Sequence, residues 1–129
     1  MSKPSVLVVD DGPVMLEVLC EFLKRSLADI QVDATDSPNT ALQHATSNHY
    51  SAVITDVTMP GMSGLELASK ILAIRPDTPI VFISGAAHAL EGCRSHAFAC
   101  LRKPFEIETF LDTVRSALAS YPFQARPIV

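Results

Sequence analysis

The chain has no run of lysine or arginine, and its 14 acidic residues outnumber 10 basic ones for a net charge of −4. A surface built to neutralise nucleic-acid phosphates is therefore not expected. No apolar stretch approaches the roughly 20 residues needed to cross a bilayer, and Met1-Ser-Lys-Pro4 opens without an apolar signal region. Membrane insertion and export are disfavoured on this reading, and a cytoplasmic location is expected. The three cysteines, Cys20, Cys93 and Cys100, are odd in number and lack a C-x-x-C pair. They read as reduced thiols in or near a core rather than as a disulfide frame. A glycine-rich phosphate loop is absent too, which ranks nucleotide binding low. His44, His49, His88 and His96 show no metal-ligand spacing and read as surface residues.

What is present is an ordinary globular composition. With 48% hydrophobic and 19% charged residues in 129, the chain can bury a sufficient core as one domain. We expect a single domain over 1–129, with a core of about residues 4–120 and a tail over 121–129, where Pro122 and Pro127 interrupt any periodic pattern.

Short apolar runs with the character of buried strands occur at Ser5–Asp10, Ile30–Thr35, Ala52–Asp56, Pro79–Ser84 and Ala99–Arg102. Each is followed by a stretch long enough for a helix. Met15, Leu19, Phe22 and Leu23 recur at helical steps after Pro13, a residue suited to a first turn because it has no amide hydrogen to leave unpaired, so a helix is predicted over Pro13–Leu27. Helices are also predicted over Pro38–Ser47 and Gly64–Ile74, and Ile107, Phe110, Leu111, Val114 and Leu118 form the clearest apolar stripe. Gly85–Gly92 supports only a short or irregular helix. Buried strands joined by helix-length crossovers must pair in parallel, so the fold class is α/β, an open five-stranded parallel sheet covered on both faces.

In such sheets ligands bind beyond the carboxyl ends of the strands. That edge collects Asp10 and Asp11 after the first strand, Asp56 ending the third, Ser84 ending the fourth and Lys103 after the fifth. Crowded carboxylates repel one another and take up protons unless cations share the site. Oxygen ligands with room for water suit Mg2+, with Asp11 and Asp56 as candidate direct ligands and Asp10 acting partly through water. A cation beside one exposed carboxylate, with Lys103 opposite and a hydroxyl at Ser84, supplies the positioning and charge neutralisation that phosphoryl transfer onto Asp56 requires. The resulting mixed anhydride is reactive, hence transient, and fits a reversible switch.

Val8-Val-Asp10-Asp11, Asp56-Val-Thr-Met-Pro-Gly-Met-Ser-Gly64, Ser84-Gly-Ala86 and Lys103-Pro-Phe105 resemble, in order and spacing, the signature segments of receiver domains of two-component response regulators. The resemblance covers about residues 4–120. It implies a three-layer α/β/α doubly wound, flavodoxin-like (CheY-like) fold with strand order 2-1-3-4-5. By the same resemblance Asp56 accepts a phosphoryl group from a sensor histidine kinase or histidine phosphotransfer protein. Mg2+ is held by Asp10, Asp11, Asp56 and the Thr58 backbone carbonyl. Ser84 follows the phosphoryl group, Lys103 pairs with it, and the Lys103–Pro104 bond is cis. The expected output is a switched contact with a downstream protein, without direct nucleic-acid or membrane contact, and a homodimer through the last helix fits the family pattern.

Departures from the family pattern concern the output side. The fifth strand carries Cys100 where receivers usually place an aromatic residue, three positions before the lysine. Phe98, two residues earlier, is expected to share a face with Cys100 by strand alternation. The segment from Ser84 to Lys103 is about three residues shorter than is usual in the family, which directs attention to reordering of Gly85–Ser95 as the means of signalling. Thr58 and Ala86 occupy positions that in the family influence water attack, and neither has a carboxylate or amide to orient water. Two rival readings remain open at this point. One is a degenerate receiver that binds a partner constitutively, and the other is a Mg-dependent aspartyl phosphohydrolase, which would need a second acid where Thr58 stands.

Overall fold

Alternation along the strands decides the layering. In the computed structural model, which describes residues 3–123, the strands are β1 (Ser5–Val9), β2 (Gln31–Thr35), β3 (Ala52–Asp56), β4 (Ile80–Ser84) and β5 (Ala99–Arg102). They form one parallel sheet in the order β2-β1-β3-β4-β5. Leu7, Val9, Val53, Ile80 and Phe82 point to one face, and Val6, Val8, Ala52, Ile54, Val81 and Ile83 to the other. Both sets are buried, which is why the central strands β1, β3 and β4 are mainly apolar rather than alternating, whereas the edge strand β2, Gln-Val-Asp-Ala-Thr, has no buried residue.

Five helices cover the two faces: α1 (Pro13–Ser26), α2 (Pro38–Ser47), α3 (Gly64–Ile74), α4 (Ala87–Glu91) and α5 (Ile107–Ser120). Leu19 and Leu23 of α1 pack with Phe110, Leu111 and Val114 of α5 on one side. Ala41 and Ala45 of α2, Leu67 and Ile71 of α3, and Leu90 of α4 fill the other. The helix starts are written locally. Pro13 and Pro38 stand in first turns, the Ser37 hydroxyl accepts from the Thr40 N–H at 3.3 Å, and the Ser63 hydroxyl accepts from the Glu66 N–H at 3.1 Å. The short helix expected in Gly85–Gly92 is the five-residue α4, and a 3-10 turn over Arg94–His96 completes the passage to β5.

One expectation is overturned. Phe98 does not share a face with Cys100: Phe98 packs on the α1/α5 side with Leu101, whereas Cys100 packs on the α4 side with Ala97. The physical reason is that β5 begins only at Ala99, so strand alternation does not extend back to Phe98. Its ring instead meets Phe123 edge to face at 5.2 Å between centroids, and the Phe123 N–H donates to the Asp77 carbonyl at 2.8 Å. The chain after α5 thus folds back against the pole of the sheet opposite Asp56 through residue 123. The rest of the expected tail, 124–129, lies outside the described residues.

Candidate phosphoryl-acceptor site

Three strand ends deliver the acidic residues and the lysine to one place. The backbone continues each strand just far enough: the Asp10 N–H donates to the Thr35 carbonyl, Val57 N–H to Ile83, and Lys103 N–H to Ser84. These bonds hold the first residue beyond each strand in line with the sheet. Asp10 is 1% exposed and Asp56 7% exposed, while Asp11 faces solvent.

The Lys103 ammonium donates to Asp56 Oδ2 at 2.9 Å and to Asp10 Oδ2 at 3.3 Å. The remaining oxygens of both carboxylates are held by backbone: Gly12 N–H donates to Asp10 Oδ1 at 2.8 Å, and Thr58 N–H donates to Asp56 Oδ1 at 3.1 Å. Burial alone would lower the Lys103 ammonium. The hydrogen bond to Asp56, the charges of Asp10 and Asp56 and the bond to Asp10 outweigh it and hold the group above its ordinary value. The lysine is therefore a fixed positive charge throughout the neutral range. The Lys103–Pro104 bond is cis.

Asp10, Asp11 and Asp56 each offer a carboxylate oxygen, all within 4.8 Å of one another. Opposite ligands of a six-coordinate Mg2+ lie about 4.2 Å apart, so the three oxygens have the spacing and hardness for one such ion. Ser84 is buried, one residue beyond the Ile83 that pairs with Asp56, and its hydroxyl accepts from the Ala86 N–H at 3.1 Å. That bond uses a lone pair and leaves the hydroxyl proton to be given to a ligand. Thr58 is exposed, with its backbone beside the Asp56 carboxylate.

Several contributors escaped the sequence reading. Gly12 holds Asp10 through a short Asx-type turn, a role that Asp-x-Gly allows but does not single out. Along α1, Val14 is 74% exposed, Val18 41% and Phe22 39%, at steps of four residues. Val18 and Phe22 border an apolar hollow of about 230 Å³ between α1 and the start of α5, lined also by Met15, Leu19, Pro104, Phe105 and Ile107 and reaching Lys103. The helical stripe read from the sequence includes Phe22, which the fold leaves exposed. Only the neighbouring Val14/Val18 spacing hints that α1 has a second apolar face.

A family model described as response regulator receiver domain matches residues 6–115. The C4-dicarboxylate transport transcriptional regulatory protein DctD of Rhizobium meliloti is 32% identical over 119 residues, 90% of this chain and 25% of DctD. The response regulator protein FleR of Pseudomonas aeruginosa is 37% identical, with 91% of this chain and 25% of FleR covered. The response regulator protein TmoT of Ectopseudomonas mendocina is 33% identical, with 92% and 54% covered. The chain thus spans about a quarter to a half of the length of these relatives. Among solved structures, the response regulator TrrA of Thermotoga maritima in complex with Mg2+ and BeF superposes with a TM-score of 0.80 at 30% identity, covering 88% of this chain and 98% of that one. A CheY-like receiver domain protein of Methanospirillum hungatei gives 0.84 at 20% identity, covering 92% and 96%, and shares the fold.

Proposed function

The chain belongs to the response regulator receiver domain family, and from that premise we propose that Asp56 is the residue through which it takes up a phosphoryl group. The observation that carries the assignment is the Lys103 ammonium seated between Asp56 and Asp10, opposite the exposed Asp11. The domain is a signalling phosphoacceptor of the two-component type. Its chemistry, on this reading, is confined to its own phosphorylation and dephosphorylation.

The donor is a phosphohistidine of a sensor histidine kinase or histidine phosphotransfer protein. An Asp56 carboxylate oxygen attacks phosphorus, a P–O bond forms, and the P–N bond breaks with its electron pair left on the imidazole nitrogen. Thr58 N–H fixes the rotation of the Asp56 carboxylate by holding Oδ1. Lys103 moves its hydrogen bonding from Oδ2 to the arriving phosphoryl oxygens, and Ser84 donates its free hydroxyl proton to them. Asp10, Asp11, Asp56 and the Thr58 carbonyl would hold Mg2+, which when bound supplies further charge neutralisation for the phosphoryl oxygens.

The apolar face of Val14, Val18 and Phe22, with the hollow beside Lys103, lies next to the acceptor and suits the apolar side of the donor's histidine-bearing helix. At the opposite side, α4 is a single short helix tied to the site by the Ser84–Ala86 hydrogen bond, and the thiol of Cys100 lies 4.0 Å from the Leu90 carbonyl beneath it. We assign the switched surface to Gly85–Ser95. A change in its amide protection on binding a phosphate mimic is the expected signature, and unchanged protection overturns that assignment. One domain over 1–129 and a cytoplasmic setting complete the reading. No helix among the described residues is long and apolar enough to cross a membrane.

Incubation with Mg2+ and a small acyl phosphate, followed by intact-mass measurement, tests the central claim. One added phosphoryl group, abolished in Asp56→Asn, is expected. No mass gain in the parent chain favours a module that binds its partner constitutively.

A further inference from the structure

We infer that Gly64 is a positioning residue for the Asp56 centre, acting through the backbone of the segment that joins β3 to α3. The inference rests on the reading of Asp56 as phosphoryl acceptor and goes further, to what sets the geometry of that acceptor. The segment from Val57 to Ser63 leaves the sheet at Asp56 and returns to touch it. Gly64 N–H donates to the Val57 carbonyl at 2.8 Å, closing the loop at its base. Between the ends, Val57, Met59 and Met62 turn their side chains into the core under α3, and Gly61, at φ +83°, makes the turn at the tip.

At the closure the backbones approach as closely as a hydrogen in place of a side chain permits. A Cβ on Gly64 would lie far inside van der Waals contact with the Asp56 carbonyl oxygen, and 2.9 Å from both the Asp56 carbonyl carbon and the Val57 Cα. All three are backbone atoms, so no side-chain rotation relieves the overlap. Gly64 is not in the left-handed region, and the constraint is one of space alone. This distinguishes it from Gly61, where a Cβ meets nothing within 4 Å and only the positive φ calls for glycine.

Relief of a methyl group at position 64 has two routes. Either α3 withdraws, which opens the loop and carries the Thr58 backbone off the Asp56 carboxylate, or the end of β3 gives way and moves Asp56 itself. Both change the relation among Asp56, Thr58 and Lys103, which is set by bonds of 2.9–3.1 Å. A displacement of this kind, near 1 Å, costs on the order of 100-fold in a reaction that depends on alignment. The same shift loosens the carboxylate set, for which disturbed supporting contacts cost about 10–100-fold in metal affinity.

The test uses the full chain and three proteins: the parent, Gly64→Ala, and Leu67→Ala, which removes a fully buried side chain one turn along α3 and serves as a stability control. Mg2+ affinity is read from amide chemical shifts, and phosphorylation by a small acyl phosphate is read at saturating Mg2+. Gly64→Ala is expected to fold, to lose about tenfold in Mg2+ affinity and about 100-fold in phosphorylation rate at saturation, while Leu67→Ala keeps both within a few-fold despite reduced thermal stability. A Gly64→Ala chain with parental rate and affinity overturns the inference. So does one that does not fold, since the glycine is then simply structural, or a Leu67→Ala chain impaired to the same degree. If the parent itself is not phosphorylated, it is the acceptor assignment that fails, a separate result.

Discussion

Lys103 Nζ lies 2.9 Å from Asp56 Oδ2 and 3.3 Å from Asp10 Oδ2, so a single ammonium bridges two carboxylates from different strands. Asp10 is nearly inaccessible, and the lysine is the cation that compensates it. Replacing Lys103 by Met leaves a buried carboxylate pair without its cation, and removing one partner of such a pair costs about 3 kcal/mol. The expected result is lower thermal stability of Lys103→Met in EDTA and recovery of most of the loss on adding Mg2+. A loss that Mg2+ does not recover would show that the lysine matters through packing instead.

Asp11 presents the opposite case. It faces solvent, and among the described residues no hydrogen bond or ion pair to its side chain is found. Asp11→Asn should therefore cost no metal-free stability, and should raise it by relieving repulsion from Asp10 and Asp56, whose carboxylates lie within 4.8 Å of its own. If Asp11 is a ligand, the same change removes most of the rise in Tm that excess Mg2+ gives the parent, since that rise follows the ratio of metal concentration to Kd. Equal Mg2+-induced shifts in parent and variant would remove Asp11 from the ligand set.

Burial pushes the Cys93 thiol up to about 11, with the neighbouring Cys100 adding to the effect. A thiol whose folded value lies above its unfolded value of 9.0 stays protonated in the native state while the unfolded chain has already ionised. Its stabilising contribution is complete below pH 9 and is lost as pH rises from 9 to 11, at about 1 kcal/mol per pH unit. Cys93→Ala should flatten that alkaline decline in urea titrations. In the native protein at pH 8, Cys93 should also resist thiol-alkylating reagents until the chain unfolds. Rapid native-state labelling of Cys93 would contradict its 0% exposure.

The aromatic contact between Phe98 and Phe123 ties the chain beyond α5 to the entrance of β5. Edge-to-face pairs contribute about 0.5–1.5 kcal/mol beyond the area they bury. Phe123→Ala should lower stability by about 1 kcal/mol or slightly more, and the double variant with Phe98→Ala should cost less than the sum of the two singles. Strict additivity would mean that the rings do not interact in solution.

Strand-end chemistry was legible because β1, β3 and β4 are mainly apolar runs, interrupted in β3 only by the buried Thr55, so Asp10, Asp56 and Ser84 announce the sheet edge. The helices were legible to within a residue or two where proline or serine marks the start, as at Pro13, Pro38 and Ser63. What sequence periodicity missed depends on contacts between distant segments. The side of the sheet taken by Phe98 is settled by where β5 begins and by Phe123, 25 positions on. The closeness of Gly64 to Asp56 depends on how a loop closes, to which local spacing is blind. The second apolar face of α1 was hidden because Phe22 and Leu23 are adjacent, and only one of the two points inward.

If Asp56 is the acceptor, the lifetime of its phosphorylated state is set by what stands near it. Hydrolysis of an acyl phosphate needs a water aligned opposite the leaving carboxylate, and a side-chain carboxylate or amide that accepts its proton or its hydrogen bond speeds the step. Thr58, two residues after Asp56, is exposed with a hydroxyl and a methyl group, and Ala86, two residues after Ser84, offers only a methyl. Neither orients water well. Slow loss of the phosphoryl group is therefore expected without a partner, and a lifetime of only seconds at neutral pH would refute it. Ala86→Glu places a carboxylate at the mouth of the site and should shorten the lifetime by about tenfold or more, since a positioned base contributes about 10²–10⁴-fold in favourable cases. A variant with an unchanged lifetime would remove position 86 from the control of water attack.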